Sequence, residues 1–329
     1  MTTNIPSLLE ISKAVALAPI LTQGGGGNTS VKSNGIMSIK ASGFRLDEMT
    51  SESGHVNVKT SAITQFLSEP VPDGNPDSLI KEIAMQSIEG DSRFLPSMET
   101  GFHAVLKPFV IHTHPVAVNA LLCCINANEL LFKALPDNDF LLLEYLNPGY
   151  FLSKAIADIP SPPDVIFLKN HGLIVHASSA EAAIALHNNI ISTIANYTGI
   201  SSTESFELIS IDDHLFELKT DALALFFDEP ELLRTTLFPD QAVVIGNQFS
   251  YTDDEAITKG FNFKPGTKKC LISGPLKNAK AMAENLMAIY HITRYIQQNN
   301  LTAEALPMEN VAYILGMDME KYRQEILKS

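Results

Sequence analysis

A chain of 329 residues exceeds an average domain and falls short of three, so one large domain or two modest ones fit. With 45% apolar and 18% charged residues, it can bury a sizeable core, which excludes a disordered or fibrous protein. The net charge of −14, from 23 Lys+Arg and 37 Asp+Glu, excludes a protein that coats nucleic acid or anionic lipid by bulk charge. Three cysteines, two of them the adjacent Cys123 and Cys124, supply neither a disulfide framework nor a cysteine zinc site. The N-terminal stretch lacks a basic leader and a small-residue cleavage site, and no apolar run reaches the roughly 18 to 20 residues of a membrane span. A cytoplasmic protein is expected, with neither nucleic acid nor membrane as partner.

In chain order, Ser7 with Glu10 forms a capping box that predicts a first helix with Leu8, Ile11, Val15 and Ala18 on one face. Four glycines, 24–27, lead into Asn28-Thr29-Ser30-Val31-Lys32. Alternation around Val31 and around Met37 and Ile39, with Asn34-Gly35 between, predicts a hairpin with a type I′ turn. Asp77 and Ser78 are placed to cap a helix whose apolar face is Leu79, Ile83 and Ile88, and Pro96-Ser97 to start one carrying Glu99 and His103. A strand is expected over 110–114, a helix over 117–124, and strands over 165–168 and 173–175 on either side of Asn170-His171-Gly172. Ser178 with Glu181 then opens a helix with Ala183, Leu186, Ile190 and Ile194 on one side. This alternation favours a layered α/β domain. Residues 204–255 hold 13 acidic and 2 basic residues, a local net of −11, so a boundary is placed there. Residues 1–203 form the first domain. Residues 204–329 form an acidic connector and a smaller α/β unit or extension, with strands over 242–245 and 270–272, a helix over about 278–298 and a last one from about Met317.

His112-Thr113-His114 is the most informative tripeptide. On a strand both imidazoles project from one face, and a turn at His171 can aim a third into the same cleft. Three neutral imidazoles suit Zn²⁺ and related ions and leave one coordination position open. Glu99 reads either as a solvated first-turn glutamate or as the base beside a metal that polarises a carbonyl or hydroxyl. His103, one helical turn on, either faces that cleft or packs; His55, His176, His187, His214 and His291 read as structural or solvated. The glycine loop lacks the Gly-Lys-Ser/Thr of a P-loop and the third glycine of a dinucleotide fingerprint. It is either a ligand-free turn or a backbone cradle for an anion, with Asn28, Ser30, Ser42 and Gly43 as donors and Lys32 and Lys40 nearby.

Gly25-Gly26-Gly27-Asn28-Thr29-Ser30-Val31-Lys32, Lys40-Ala41-Ser42-Gly43, Pro96-Ser97-Met98-Glu99 with His103 beyond it, Val110-Ile111-His112-Thr113-His114-Pro115 and Lys169-Asn170-His171-Gly172-Leu173 together resemble the class II aldolase/adducin family, in family order across about residues 7–198. The resemblance implies a three-layer α/β/α sandwich with a mostly antiparallel central sheet, here followed by the smaller C-terminal α/β extension, assembled as a homo-tetramer with active sites at subunit interfaces. It implies that His112, His114 and His171 bind a divalent metal ion, most often Zn²⁺, that Glu99 is the catalytic acid/base, and that Asn28, Ser42, Gly43 and Ser97 hold a sugar phosphate. The wording of the Asn28 and Lys40 motifs is most similar to the rhamnulose-1-phosphate aldolase-like half of fused aldolase/alcohol dehydrogenase proteins; about 100 residues after the aldolase-like part leave no room for the fused dehydrogenase.

The implied reaction is retro-aldol cleavage of a ketose phosphate or related hydroxy-ketone, the metal stabilising the enediolate and Glu99 shuttling the proton. Epimerisation or dehydration of a sugar phosphate at the same site is the alternative, as is an adducin-like association module. A scaffold has no physical need of an open three-imidazole site, which favours an enzyme. Three features depart from the family pattern. Met98 stands where many phosphate-sugar aldolases have a second serine, only 12 residues separate Glu99 from His112, and neither Tyr145 nor Tyr150 has the spacing of the family's proton-donating tyrosine.

Overall fold

The hairpin forms where alternation places it. β1 (Asn28–Ser33) and β2 (Ile36–Lys40) pair antiparallel through Asn34 and Gly35 at φ of 50° and 75°, the two left-handed residues of a type I′ turn. The computed structural model describes residues 4–17, 19–90 and 92–317. β3 (His55–Lys59), β4 (Phe109–Thr113), β5 (Leu141–Leu143), β6 (Val165–Leu168) and β7 (Gly172–Ala177) complete a seven-stranded sheet of order β3-β2-β1-β4-β7-β6-β5, in which β5–β6 is the parallel pair.

The period of two divides its side chains between two faces. Val31, Ile111, Phe167 and Val175 pack with α1 (Ile5–Val15), α5 (Val116–Leu122), α6 (Ala127–Ala134) and α8 (Ala180–Thr198). Met37, Ile39, Val58, Val110 and Ile174 pack with α2 (Ser61–Ser68), α3 (Pro76–Gln86), α4 (Thr100–Val105) and α7 (Tyr150–Ala157). These are the expected three layers around a mostly antiparallel sheet.

Three helix starts differ from their capping signals. α1 begins at Ile5 with a proline in its first turn, which puts Ser7 inside the helix; Ala18 lies outside the described residues. Asn4, just before it, instead donates through Nδ2 to Val31 O and Ile36 O, at 3.2 and 3.1 Å, and ties the helix to the hairpin. Asn75 rather than Asp77 or Ser78 caps α3, accepting from the N–H groups of both, so the buried face is Ile80 and Ala84, one residue on from Leu79 and Ile83. α8 is capped by Ser179, whose Oγ accepts from Ala182 N–H, one residue later than Ser178.

Beyond residue 204, β8 (Glu207–Asp212), β9 (Leu215–Lys219), β10 (Phe249–Tyr251), β11 (Gly260–Lys264) and β12 (Lys269–Ser273) form a second sheet of order β10-β11-β12-β9-β8. Of these strands the sequence pattern anticipates β12 alone. The segment expected as a strand over 242–245 is a buried π-helical turn, Gln241–Ile245, because a short continuous apolar run carries no period that separates strand from helix. α9 (Leu223–Asp228), α10 (Leu276–Gln298) and α11 (Met308–Gly316) follow; the helix expected from about Met317 falls beyond 317, outside the described residues. α10 packs on α5, and Leu286, Phe261 and Ile272 share one core with Val118 and Leu121. No described helix is long and apolar enough to cross a membrane.

α4, which positions Glu99, sits against α7 at Gly101, where a Cβ would lie 2.4 Å from Ser153 Oγ and 2.6 Å from Ser153 Cβ. Gly101→Ala should therefore destabilise the protein by about 1–3 kcal/mol through overpacking. The check is a lower urea midpoint at unchanged slope; a midpoint equal to wild type would show that the two helices are not locked together there.

Candidate metal centre

Strand register assembles the site. Asn28 stands opposite His112 across β1–β4, His112 stands opposite Ile174 across β4–β7, and the β6–β7 turn delivers His171 beside them. His112 shares the face of Val110, while Thr113 turns to the other, where its hydroxyl bonds His187 Nε2 at 2.8 Å. His114 follows the strand end, its N–H donating to Leu21 O at 2.9 Å. A bridge between Ala41 and Pro96, with Ser42 N–H donating to Leu95 O at 3.0 Å, sets Ser42-Gly43 against Ser97. Glu99 is not inside its helix. α4 starts at Thr100 with Glu99 as N-cap residue, whose N–H donates to Ser97 Oγ at 3.2 Å, and its carboxylate caps nothing and turns to the histidines.

Glu99 Oε1 lies 3.2 Å from His112 Nε2 and 3.6 Å from His171 Nε2, and the Nε2 atoms of His112 and His114 are 3.0 Å apart. One ring nitrogen of each of His112, His114 and His171, all buried, lies within 4.8 Å of the others. His112 Nδ1 donates to Leu173 O at 3.0 Å and His114 Nδ1 to Asp240 Oδ2 at 2.6 Å. A carbonyl and a carboxylate only accept, so in the neutral rings both Nε2 lone pairs face the same point. His171 Nδ1 and Asn28 Oδ1 are buried without a hydrogen-bond partner. Buried acceptors in this state are costly. A divalent cation satisfies converging imidazole lone pairs, and the far nitrogens of His112 and His114 are held, so the residues fit such an ion.

The charges agree. Burial would raise the Glu99 carboxyl, but His112, with His171 and His114, holds it well below the usual carboxylate range. Burial would lower His112, and the Glu99 charge and hydrogen bond more than reverse that, favouring a second proton on His112 Nε2 where the charge of a cation would otherwise sit; burial and the neighbouring rings push His171 down and keep it neutral. The carboxylate thus demands positive charge at the point where the lone pairs meet.

Asn28, Ser42, Gly43, Ser97, Glu99, His114 and His171 all line one cleft, with His112 wholly buried beside it. Lys40 joins them, its ammonium donating to Gly25 O at 3.1 Å and Phe44 O at 2.8 Å. Lys32 does not; it donates to His103 O. His103 packs, hydrogen-bonding Ser30 Oγ through Nδ1 at 2.8 Å and stacking on Phe102. Neither Tyr145 nor Tyr150 lines the cleft. Two residues escaped the sequence reading. Asp240 adjoins the apolar run 242–245, whose pattern carries no mark of a buried acid. Glu284, buried in α10, accepts from Gly24 N–H at 2.7 Å and Arg45 Nη1 at 2.9 Å; a lone carboxylate inside the apolar stretch 281–289 was its readable signal.

Glu284→Gln would leave the buried Arg45 guanidinium with only the half-exposed Asp47 at 3.1 Å. It should cost about 3 kcal/mol, the low end for breaking a buried ion pair, measured by urea unfolding; a loss below 1 kcal/mol would show that Arg45 finds other compensation.

The family described as Class II Aldolase and Adducin N-terminal domain matches residues 7–195. Among curated proteins, the chain is 28% identical over 186 residues to an uncharacterized oxidoreductase, YuxG, of Bacillus subtilis, a match that spans 53% of this chain and 26% of that protein's length. Among solved structures, the N-terminal class II aldolase domain of a conserved protein from Thermoplasma acidophilum superposes with a TM-score of 0.53 at 26% identity, over 60% of this chain and 94% of that one. L-fuculose-1-phosphate aldolase from Thermus thermophilus is 16% identical at a TM-score of 0.39, over 58% of this chain and 92% of that one. The chain belongs to the class II aldolase and adducin family.

Proposed function

We propose that this family member is a metal-dependent lyase that cleaves a ketose phosphate or related hydroxy-ketone by retro-aldol chemistry, with Glu99 as its acid/base. The observation that carries the reading is the Glu99 carboxylate 3.2 Å from His112 Nε2, in the wall of a cleft that Asn28, Ser42, Gly43 and Ser97 also line. His112, His114 and His171 would hold the ion, Zn²⁺ by the preference of a three-imidazole set. When bound it supplies Lewis-acid polarisation of a carbonyl and its neighbouring hydroxyl.

Retro-aldol cleavage removes the proton of a hydroxyl β to the carbonyl, breaks the C–C bond, releases an aldehyde and returns a proton to the enediolate carbon. Glu99, held ionised by the histidines, starts in the basic form this sequence needs. Asn28, the Ser42-Gly43 turn and Ser97 supply neutral donors, and Lys40 a positive charge, to an anionic group. Ser97 and Met98 also line an apolar cavity of about 310 Å³, which favours including hydroxy-ketones whose far end is not a phosphate. Epimerisation or dehydration would use the same base. An association module has no use for a buried carboxylate among three imidazoles.

Metal analysis of purified protein should find close to one divalent ion per chain, and His112→Ala should lose it; full retention by the variant would remove these histidines from the site. Screening ketose 1-phosphates and their unphosphorylated sugars should give aldehyde release by the wild type. Glu99→Gln should keep metal and fold while turnover falls by about 10²–10⁴-fold, the usual contribution of a positioned base. Unchanged turnover would exclude Glu99 from proton transfer.

A further inference from the structure

We propose that Asp240 is a positioning residue of the metal centre, so that the chain beyond residue 204 supplies part of the site. The inference rests on the reading of His112, His114 and His171 as metal ligands. Asp240 is 2% exposed, and its Oδ2 accepts from His114 Nδ1 at 2.6 Å. A carboxylate so placed keeps the proton on Nδ1, turns the Nε2 lone pair to the ligand point and makes it a stronger donor.

The surroundings of Asp240 are built to hold it. The next side chain, Gln241, is tied at both ends: Nε2 donates to Thr235 O at 2.8 Å and Oε1 accepts from Leu237 N–H at 2.8 Å. α10 packs against the turn that follows. Leu237 O accepts from Asn170 Nδ2 at 2.9 Å, so this short segment fixes both His114 and the turn that carries His171. From the other side the glycine loop closes over the pair. A Cβ on Gly26 would fall 2.4 Å from Asp240 Oδ2 and 2.9 Å from His114 Nδ1, so only glycine passes there.

The test titrates wild type, Asp240→Asn and Asp240→Glu with Zn²⁺ and Co²⁺ against a chromophoric chelator. Asparagine keeps an acceptor oxygen and loses the charge; Asp240→Asn should bind about 10–100-fold more weakly, with a changed Co²⁺ visible absorption band, and Asp240→Glu should regain part of the affinity. Wild-type affinity and an unchanged Co²⁺ band in Asp240→Asn would overturn the role of Asp240 alone; a wild type that takes up no ion would overturn the metal centre with it. Should Asp240→Asn not fold, ¹⁵N-histidine spectra of zinc-loaded wild type decide: the proton of His114 belongs on Nδ1, and finding it on Nε2 refutes the proposal.

Discussion

An ionised carboxylate held among three imidazoles, out of water, is the constraint on which this structure turns. Each group alone would be costly to bury, and the set is made tolerable by tying down the far side of two of the rings and meeting the near side with positive charge. Glu99 reaches the cluster because the helix it precedes does not use its carboxylate as a cap. His112 is steadied by the Leu173 carbonyl and His114 by the Asp240 carboxylate. What remains is a point at which lone pairs and a negative charge converge, and a cation is the species that such a point accepts.

The fold meets this demand through strand register rather than through any single loop. A one-residue slip between β1 and β4 would turn Asn28 and His112 to opposite faces. The α1-to-hairpin bonds of Asn4 and the hairpin turn at Asn34-Gly35 hold β1 against β2 on one side of that pair. On the other, the turn carrying His171 needs Asn170 at φ 54°, a left-handed conformation that Asn tolerates better than most side chains. It is held by two hydrogen bonds from Asn170 Nδ2, to Leu237 O and Glu304 O. Lys169 pairs with Glu304 at 2.7 Å in the same place. Residues far along the chain therefore hold the geometry of a motif that looks local.

What was legible in the sequence follows from the range of the interactions involved. The hairpin, β4, β6, β7 and α10 were readable because period and turn chemistry are local, and His112, His114, His171 and Glu99 because their types and spacing already point to one chemistry. Helix starts were misplaced by one or two residues where competing caps sit side by side, as with Asn75 and Asp77 or Ser178 and Ser179. The second sheet was largely missed because its strands are short, and because β8 is exposed and β11 buried on both faces, which removes the alternation that marks a strand. Asp240 was missed because nothing near it in sequence announces a partner more than 100 residues away, and Glu284 because a lone carboxylate in an apolar stretch marks a buried charge without naming its distant partner.

The acidity of residues 204–255 takes on a different meaning in the fold. Asp212, Asp213, Asp221, Asp228, Asp253 and Asp254 are exposed and form an ordinary solvated surface, remote in purpose from catalysis. Asp240, from the same stretch, is buried, and its charge acts on the site directly, through its hydrogen bond to His114 and its field at His112 and His171, rather than through the average field. The reason a distant segment is needed lies in where β4 ends. His112 sits within the strand, so the neighbouring strand offers a carbonyl to its Nδ1 at no extra structural expense. His114 lies one residue past the last ladder position, where the sheet has no carbonyl left to give. A partner for that ring must come from outside the sheet, and the chain after residue 204 brings a carboxylate, which both accepts the Nδ1 proton and strengthens the opposite nitrogen as a ligand.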